Sequence, residues 1–145
     1  MTVTYPVPLL CDHSMSLRLL FGIHAILTFA AGIVLVTAPG AIPRTVGIPI
    51  GPGGYLLCYL LAAAEFSVSV LSWGARAIND AKALRLIVIA FIVLHAASGL
   101  LEIRAFAGGL TAAIWANVAL RVLAIVLFAY YGLHAPSIDH PRAVS

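Results

Sequence analysis

Residues 83–103 read ALRLIVIAFIVLHAASGLLEI. The stretch is about as long as the ~20 residues a helix needs to cross a hydrocarbon core. It is apolar around its whole circumference, which marks a membrane span and not an amphipathic surface helix. Three further runs share this character, residues 17–38, 54–73 and 112–133. None shows the sustained two-residue alternation of a membrane barrel strand. The expected fold is an all-α, integral membrane four-helix bundle, one domain over residues 1–145.

Composition leads to the same solvent. The chain is 63% hydrophobic and 9% charged, against ~45–50% and ~25% in ordinary soluble domains. Its mean hydropathy is +1.10, more apolar surface than a small soluble domain can bury. A soluble enzyme and a nucleic-acid-binding module are therefore disfavoured, and a net charge of +3 gives no sign of a nucleic-acid partner. Cys11 and Cys58 do not make a disulfide framework. The first run is longer than a signal-peptide core and lacks a strongly basic leader, so it is retained as a span.

The breaks are chemically clear. Pro39, Pro43, Pro49 and Pro52, with Gly40, Gly47, Gly51, Gly53 and Gly54, separate the first two runs. Gly74 to Lys82 forms a polar turn, and Gly108 with Gly109 centres another. Ile42, Val46, Ile48 and Ile50 make the first connection too apolar for a solvated loop. It is expected to lie on the membrane surface as a connector, or to fold over the bundle mouth as a lid. Four spans place both termini and the second connection on one side, with Arg18, Arg76, Lys82, Arg85 and Arg142; Arg44 and Arg104 lie on the other. The positive-inside rule makes the first side cytoplasmic. Ala63 with Ser67, and Ala112 with Ala116, have the spacing of close helix–helix contacts.

The informative residues interrupt the apolar pattern: His24 and Thr28 in the first span, Glu65, Ser67, Ser69 and Ser72 in the second, His95, Ser98 and Glu102 in the third, Asn117 and Arg121 in the fourth. A mid-span arginine costs at least ~2.5–3.5 kcal/mol. Leu, Ile, Val and Phe each return only ~0.3–0.6 kcal/mol, so Arg121 nearly cancels the hydrophobic drive of its own helix. Such a residue must face protein or a wet cavity. His95, Ser98 and Glu102 share one helix face, as do Asn117 with Arg121 and Glu65 with Ser69 and Ser72. By residue count Glu65, His95 and Arg121 lie near the bilayer midplane, and His24 a turn or two closer to the cytoplasm. All four stripes are expected to point inward.

An Arg–Glu pair can fix helix register without chemistry, and serine hydroxyls can bond their own helix backbone. The functional reading is general acid–base catalysis. Two carboxylates flanking a guanidinium can hold different protonation states, so that one acts as base and the other as acid. Glu65 is the preferred base and Glu102 the acid, with exchange of these roles left open. Arg121 couples them, His95 is a proton partner, and Asn117 orients water or the substrate oxygen. His24, Ser69 and Ser98 are expected to contact the substrate.

The set Glu65, Arg121 and Glu102, with Asn117, resembles the acid–arginine–acid chemistry of limonene-epoxide-hydrolase-type enzymes, which are soluble and differently folded. The layout over about residues 17–133, four spans with acidic and histidine residues at mid-membrane, resembles the small four-span membrane epoxide hydrolases and cyclases of fungal polyketide clusters. That resemblance implies epoxide opening or cyclisation on a lipophilic polyketide or terpenoid in the endoplasmic reticulum membrane of a fungus; in any other source the plasma membrane is expected. Lipid is the expected surroundings, and no cofactor is expected. Two other classes stand beside it. A proton-coupled transporter would use Glu65 and commonly work as a homodimer, although Arg121 and the histidines would repel a cationic substrate. A haem-binding or structural four-helix protein would use His24 and His95, two histidines in a bundle being a recurring haem geometry. A zinc site has no spacing signature.

Overall fold

A computed structural model describes residues 10–133 of the chain, with side chains described from Ser16 onward. Every regular element among the described residues is helical. The helices are α1 (Leu10–Thr37), the short α2 (Ala41–Thr45), α3 (Tyr55–Ala75), α4 (Ala81–Ala107) and α5 (Ile114–Leu133), with a 3-10 turn at Pro52–Gly54. Four of them are long and apolar enough to cross a membrane. Their cores coincide with the four runs, and the ends differ by local chemistry. The carboxylate of Asp80 caps α4 by accepting from the Ala83 amide at 2.8 Å, which starts that helix before Ala83. It continues past Ile103 until Gly108, beyond which Gly109 turns the chain at φ +107°.

Helix α1 packs mainly along α3 and α4 along α5, while contact of α1 with α5 joins the two pairs. Each long helix buries one seam whose members alternate by four and three residues. On α3 it runs Cys58, Ala62, Glu65, Ser69, Ser72; on α4 it runs Leu84, Val88, Phe91, His95, Ser98, Glu102. On α1 it includes Leu17, Phe21, His24, Thr28 and Leu35, and on α5 Ile114, Val118, Arg121, Ile125 and Phe128. This is the spacing that keeps one stripe of a helix against a neighbour in left-handed packing. Of the polar stripes expected to point inward, His24 with Thr28, Glu65 with Ser69 and Ser72, His95 with Ser98 and Glu102, and Arg121 lie in these seams, whereas Asn117 is exposed and lies beside its seam.

The two pairs are joined toward one end by an aromatic core. Phe21, Phe91 and Phe128 enclose one another at centroid distances of 5.4–6.1 Å, within a cluster that also holds Leu17, Ala75 and Val88. The α3–α4 turn lies at this end, where Arg18 donates to the Asn79 side-chain carbonyl at 2.9 Å. At the opposite end the first connection reaches the α4–α5 turn. The Thr111 amide donates to the Val46 carbonyl at 3.2 Å, and the Thr111 hydroxyl to the Thr45 carbonyl at 3.4 Å. Gly47 makes this approach possible. Its φ is +85°, and a Cβ there would meet Thr111 Cγ2 at 2.7 Å. The first connection is thus a strap over the far end, with Ile50 seated against Leu35, Cys58 and Ala62.

One sequence expectation is corrected. Ala63, Ser67, Ala112 and Ala116 are exposed and do not sit between packed helices. Close approach occurs instead at Gly32 under Phe66 and Gly132 under Val88, where an added Cβ would come within 2.6 Å. Cys58 is a buried free thiol that donates to the Pro39 carbonyl; the side chain of Cys11 and all of Arg142 lie outside the described residues.

Candidate functional site

The polar residues of the four seams form two layers. In the first, Ser72 Oγ lies 2.8 Å from His24 Nδ1, and His24 Nε2 lies 3.0 Å from His95 Nε2. The chain links α3, α1 and α4 in series. His24 is buried, with the rings of Phe91 and Phe128 at 4.8 and 5.2 Å. The two imidazoles occupy one level, where residue counting had set His24 nearer the termini. Contact between α1 and α4 in parallel, not distance from the helix start, decides their register.

The second layer centres on Glu102 Oε1. That oxygen accepts from Arg121 Nε at 2.8 Å, from Arg121 Nη2 at 2.8 Å and from Asn117 Nδ2 at 2.6 Å. The other carboxylate oxygen, Oε2, is buried without a hydrogen-bond partner. The Arg121 stem passes Gly99 of α4, where an added Cβ would meet it at an ordinary contact distance of 3.8 Å. Asn117 reaches Glu102 from an exposed position. Its amide closes the layer on the side of the far turn.

Glu65 is half-buried and makes no hydrogen bond or ion pair within the described residues. The contacts of His24 with Ser72 and of Gly32 with Phe66 set α3 against α1. Those of His24 with His95, and of Gly99 with Arg121, set α4 and α5. In this register Glu65 is level with Glu102 across the bundle. Arg121 and Asn117 thus meet Glu102 toward the α4–α5 turn, with Glu65 level with it on α3. Glu65 and His95, expected at one depth, are two turns apart, because Ser72 and not Glu65 is level with the histidines.

Three expected substrate contacts fare differently. Both His24 ring nitrogens are occupied by Ser72 and His95, so His24 has none left for a ligand. Ser69 donates its hydroxyl to the Ala25 carbonyl at 2.8 Å, a bond between helices that also departs from bonding within its own helix. Ser67 does bond its own helix, at the Ala63 carbonyl. Ser98 is half-buried on the face of His95 and Glu102, and its hydroxyl has no partner among the described residues. Ser72, not singled out as a site residue, is the anchor of the histidine chain; its position three residues beyond Ser69 on one face is the signal that marks it.

Two open grooves lie elsewhere. One, of about 390 Å³, is lined by Ala25, Ile26, Phe29, Ser69, Val70 and Trp73 on the outer side of α1 and α3. The other, of about 480 Å³, lies under the strap beside Arg44, Tyr55 and Tyr59. No group of three or more metal-ligating side chains occurs among the described residues. The histidine pair does not fit axial haem ligation as placed. Metal–imidazole bonds of ~2 Å set trans nitrogens ~4 Å apart, whereas these are 3.0 Å apart and face each other directly.

The fold and site define an all-helical chain, over its described residues, with four spans' worth of apolar helix around a partly buried carboxylate–guanidinium–imidazole set. No family model, curated protein or solved structure matches the chain.

Proposed function

We propose that the chain is an integral membrane enzyme that opens or cyclises an epoxide on a lipophilic, polyketide- or terpenoid-like molecule by general acid–base catalysis. Insertion is supported by the outward faces, where Leu56, Val70, Leu86 and Leu120 are 60% or more exposed. Only lipid covers such a surface without cost. Both termini are assigned to the cytoplasmic side by the excess of Arg18, Arg76, Lys82 and Arg85 over Arg44 and Arg104. The endoplasmic reticulum is the membrane that the family resemblance implies.

The observation that carries the reading is the unequal state of two carboxylates around one guanidinium. Glu102 is held by three donor contacts on one oxygen. Glu65, at the same level, has no such partner. A paired carboxylate keeps its charge in a poor solvent, whereas an unpaired one is cheaper to bury with its proton. The geometry thus favours the exchanged assignment. Glu102 serves as base through its bare Oε2, and Glu65 serves as the acid that protonates the opening epoxide oxygen. Arg121 fixes Glu102 and steadies charge that develops between the acids. Asn117 orients the attacking water or hydroxyl.

The test is turnover of a panel of lipophilic epoxides in ¹⁸O-labelled water by the purified protein. Labelled diol, lost in Glu65→Gln, establishes hydrolysis. Unlabelled cyclic ether, lost in the same variant, establishes cyclisation. Turnover that survives Glu65→Gln overturns the role of Glu65. The lone carboxylate at mid-span also suits a proton-coupled carrier. Substrate-dependent proton uptake into vesicles, without epoxide turnover, would favour that reading.

A further inference from the structure

We infer that His95 is held in a single tautomer by His24 and Ser72, with its Nδ1 bare, and that this nitrogen accepts the hydrogen bond of a hydroxyl-bearing ligand or water in the site. The inference rests on the acid–base reading above and names the polar group that the site recognises. Its starting point is a buried atom with no use so far. His95 Nδ1 is buried and has no hydrogen-bond partner, while the opposite nitrogen is engaged at 3.0 Å.

Two neutral imidazoles joined through their Nε2 atoms share one proton, which leaves two orders for the chain. In one, His95 Nε2–H donates to His24 Nε2, His24 Nδ1–H donates to Ser72 Oγ, and His95 Nδ1 is bare. In the other, every donor is reversed and His95 Nδ1 carries a proton. The reversed order strands an N–H in the protein interior, the rarer kind of unsatisfied group. It also sets that N–H on the helix whose Gly99, one turn on, meets the stem of the Arg121 cation. The first order avoids both.

The surroundings are consistent with a ligand contact at Nδ1. The titratable and polar groups on the His95 side of the bundle are His24 from α1, Ser72 from α3 behind it, Ser98 and Glu102 on its own face of α4, and Arg121 from α5, with Glu65 of α3 two turns away by register. Among the described residues none of them bonds Nδ1. His24 sits on the far side of the shared proton, closed in by Phe91 and Phe128. It is therefore a positioning residue, as is Ser72, which is fully buried. A hydroxyl nucleophile bonded to Nδ1 would lie on the face that also carries Glu102, the proposed base. Water and a substrate alcohol share this chemistry, in keeping with either hydrolysis or cyclisation.

The experiment is ¹⁵N spectroscopy of histidine-labelled full-length protein in lipid nanodiscs. The expected wild-type pattern is a bare Nδ1 and a protonated Nε2 at His95, with scalar coupling from that Nε2 to Nε2 of His24. Ser72→Ala is expected to bring up a protonated Nδ1 population at His95, and Ser72→Thr to keep the wild-type pattern. Decanol added to the nanodiscs should move the His95 Nδ1 resonance, and decane should not. A protonated Nδ1 in the wild type overturns the inference, as does a Ser72→Ala spectrum identical to wild type. A resonance indifferent to decanol overturns the ligand contact. Each result is independent of epoxide turnover, so the failure of one proposal does not hide in the failure of the other.

Discussion

Glu65 and Glu102 are the same residue type at the same level, yet they should respond oppositely to the same substitution. Glu65→Gln removes no hydrogen bond or ion pair and is expected to leave thermal stability in detergent within ~0.5 kcal/mol of wild type. Glu102→Gln removes the charge that three donor contacts serve. It leaves Arg121 uncompensated and should cost about 3 kcal/mol. Equal losses in the two variants would show that Glu65 is a structural partner after all. The pair itself is tested by a double substitution. Arg121→Leu alone strands a carboxylate, whereas Arg121→Leu with Glu102→Leu leaves an apolar contact. The double variant should recover most of the ~3–5 kcal/mol lost by the single one. Additive losses in chemical unfolding would mean that the two side chains stabilise separate parts of the bundle.

Among the elements, the helix contacts depend on a few glycines whose space is already taken. Gly132→Ala would drive a methyl into Val88, at 2.6 Å. It should destabilise the α4–α5 pair by about 1–3 kcal/mol. Gly74→Ala meets nothing within 4 Å on α3 and should be neutral or stabilising by up to ~1 kcal/mol. Unfolding midpoints of these two variants in one detergent check the contrast. The strap yields a different kind of outcome. Gly47→Ala brings both an unfavourable φ and a clash with Thr111, so the strap should leave the α4–α5 turn. Amide exchange at Thr111, whose N–H is held by the Val46 carbonyl, is expected to accelerate at least tenfold. Unchanged protection would show that the turn holds that amide without the strap.

For the whole molecule, the alternating helices put the α3–α4 turn and the α4–α5 turn at opposite ends. Charge then assigns the sides. In a Cys11→Ser background, where Cys58 is buried, Ala112→Cys should react with an impermeant maleimide added to intact membranes. Asn79→Cys should react only after permeabilisation. The reverse pattern would invert the assigned orientation, with the bundle itself unaffected. The site is enclosed on one side by Phe21, Phe91 and Phe128 and bounded toward the other turn by Asn117 and the strap. Access from that far side follows from where the exposed Asn117 lies.

Hydropathy alone located four helices long and apolar enough to cross a membrane, because that property is a sum over a run of residues and not a matter of packing detail. It could not show which face of each helix is inside, since the outward residues are as apolar as the inward ones. Polar side chains revealed that face. His95, Ser98 and Glu102, and likewise Glu65, Ser69 and Ser72, fall on the seams because burying them against lipid is costly. That Arg121 must meet an acid was legible for the same reason. Which acid was not: the contact with Glu102 depends on the register of α4 against α5. The histidines show the limit most clearly. Residue counts separated His24 from His95 in depth, but the tertiary contact of α1 with α4 brings their nitrogens to 3.0 Å. Local spacing determines what shares a face. Only the packing of one helix on another determines what shares a proton.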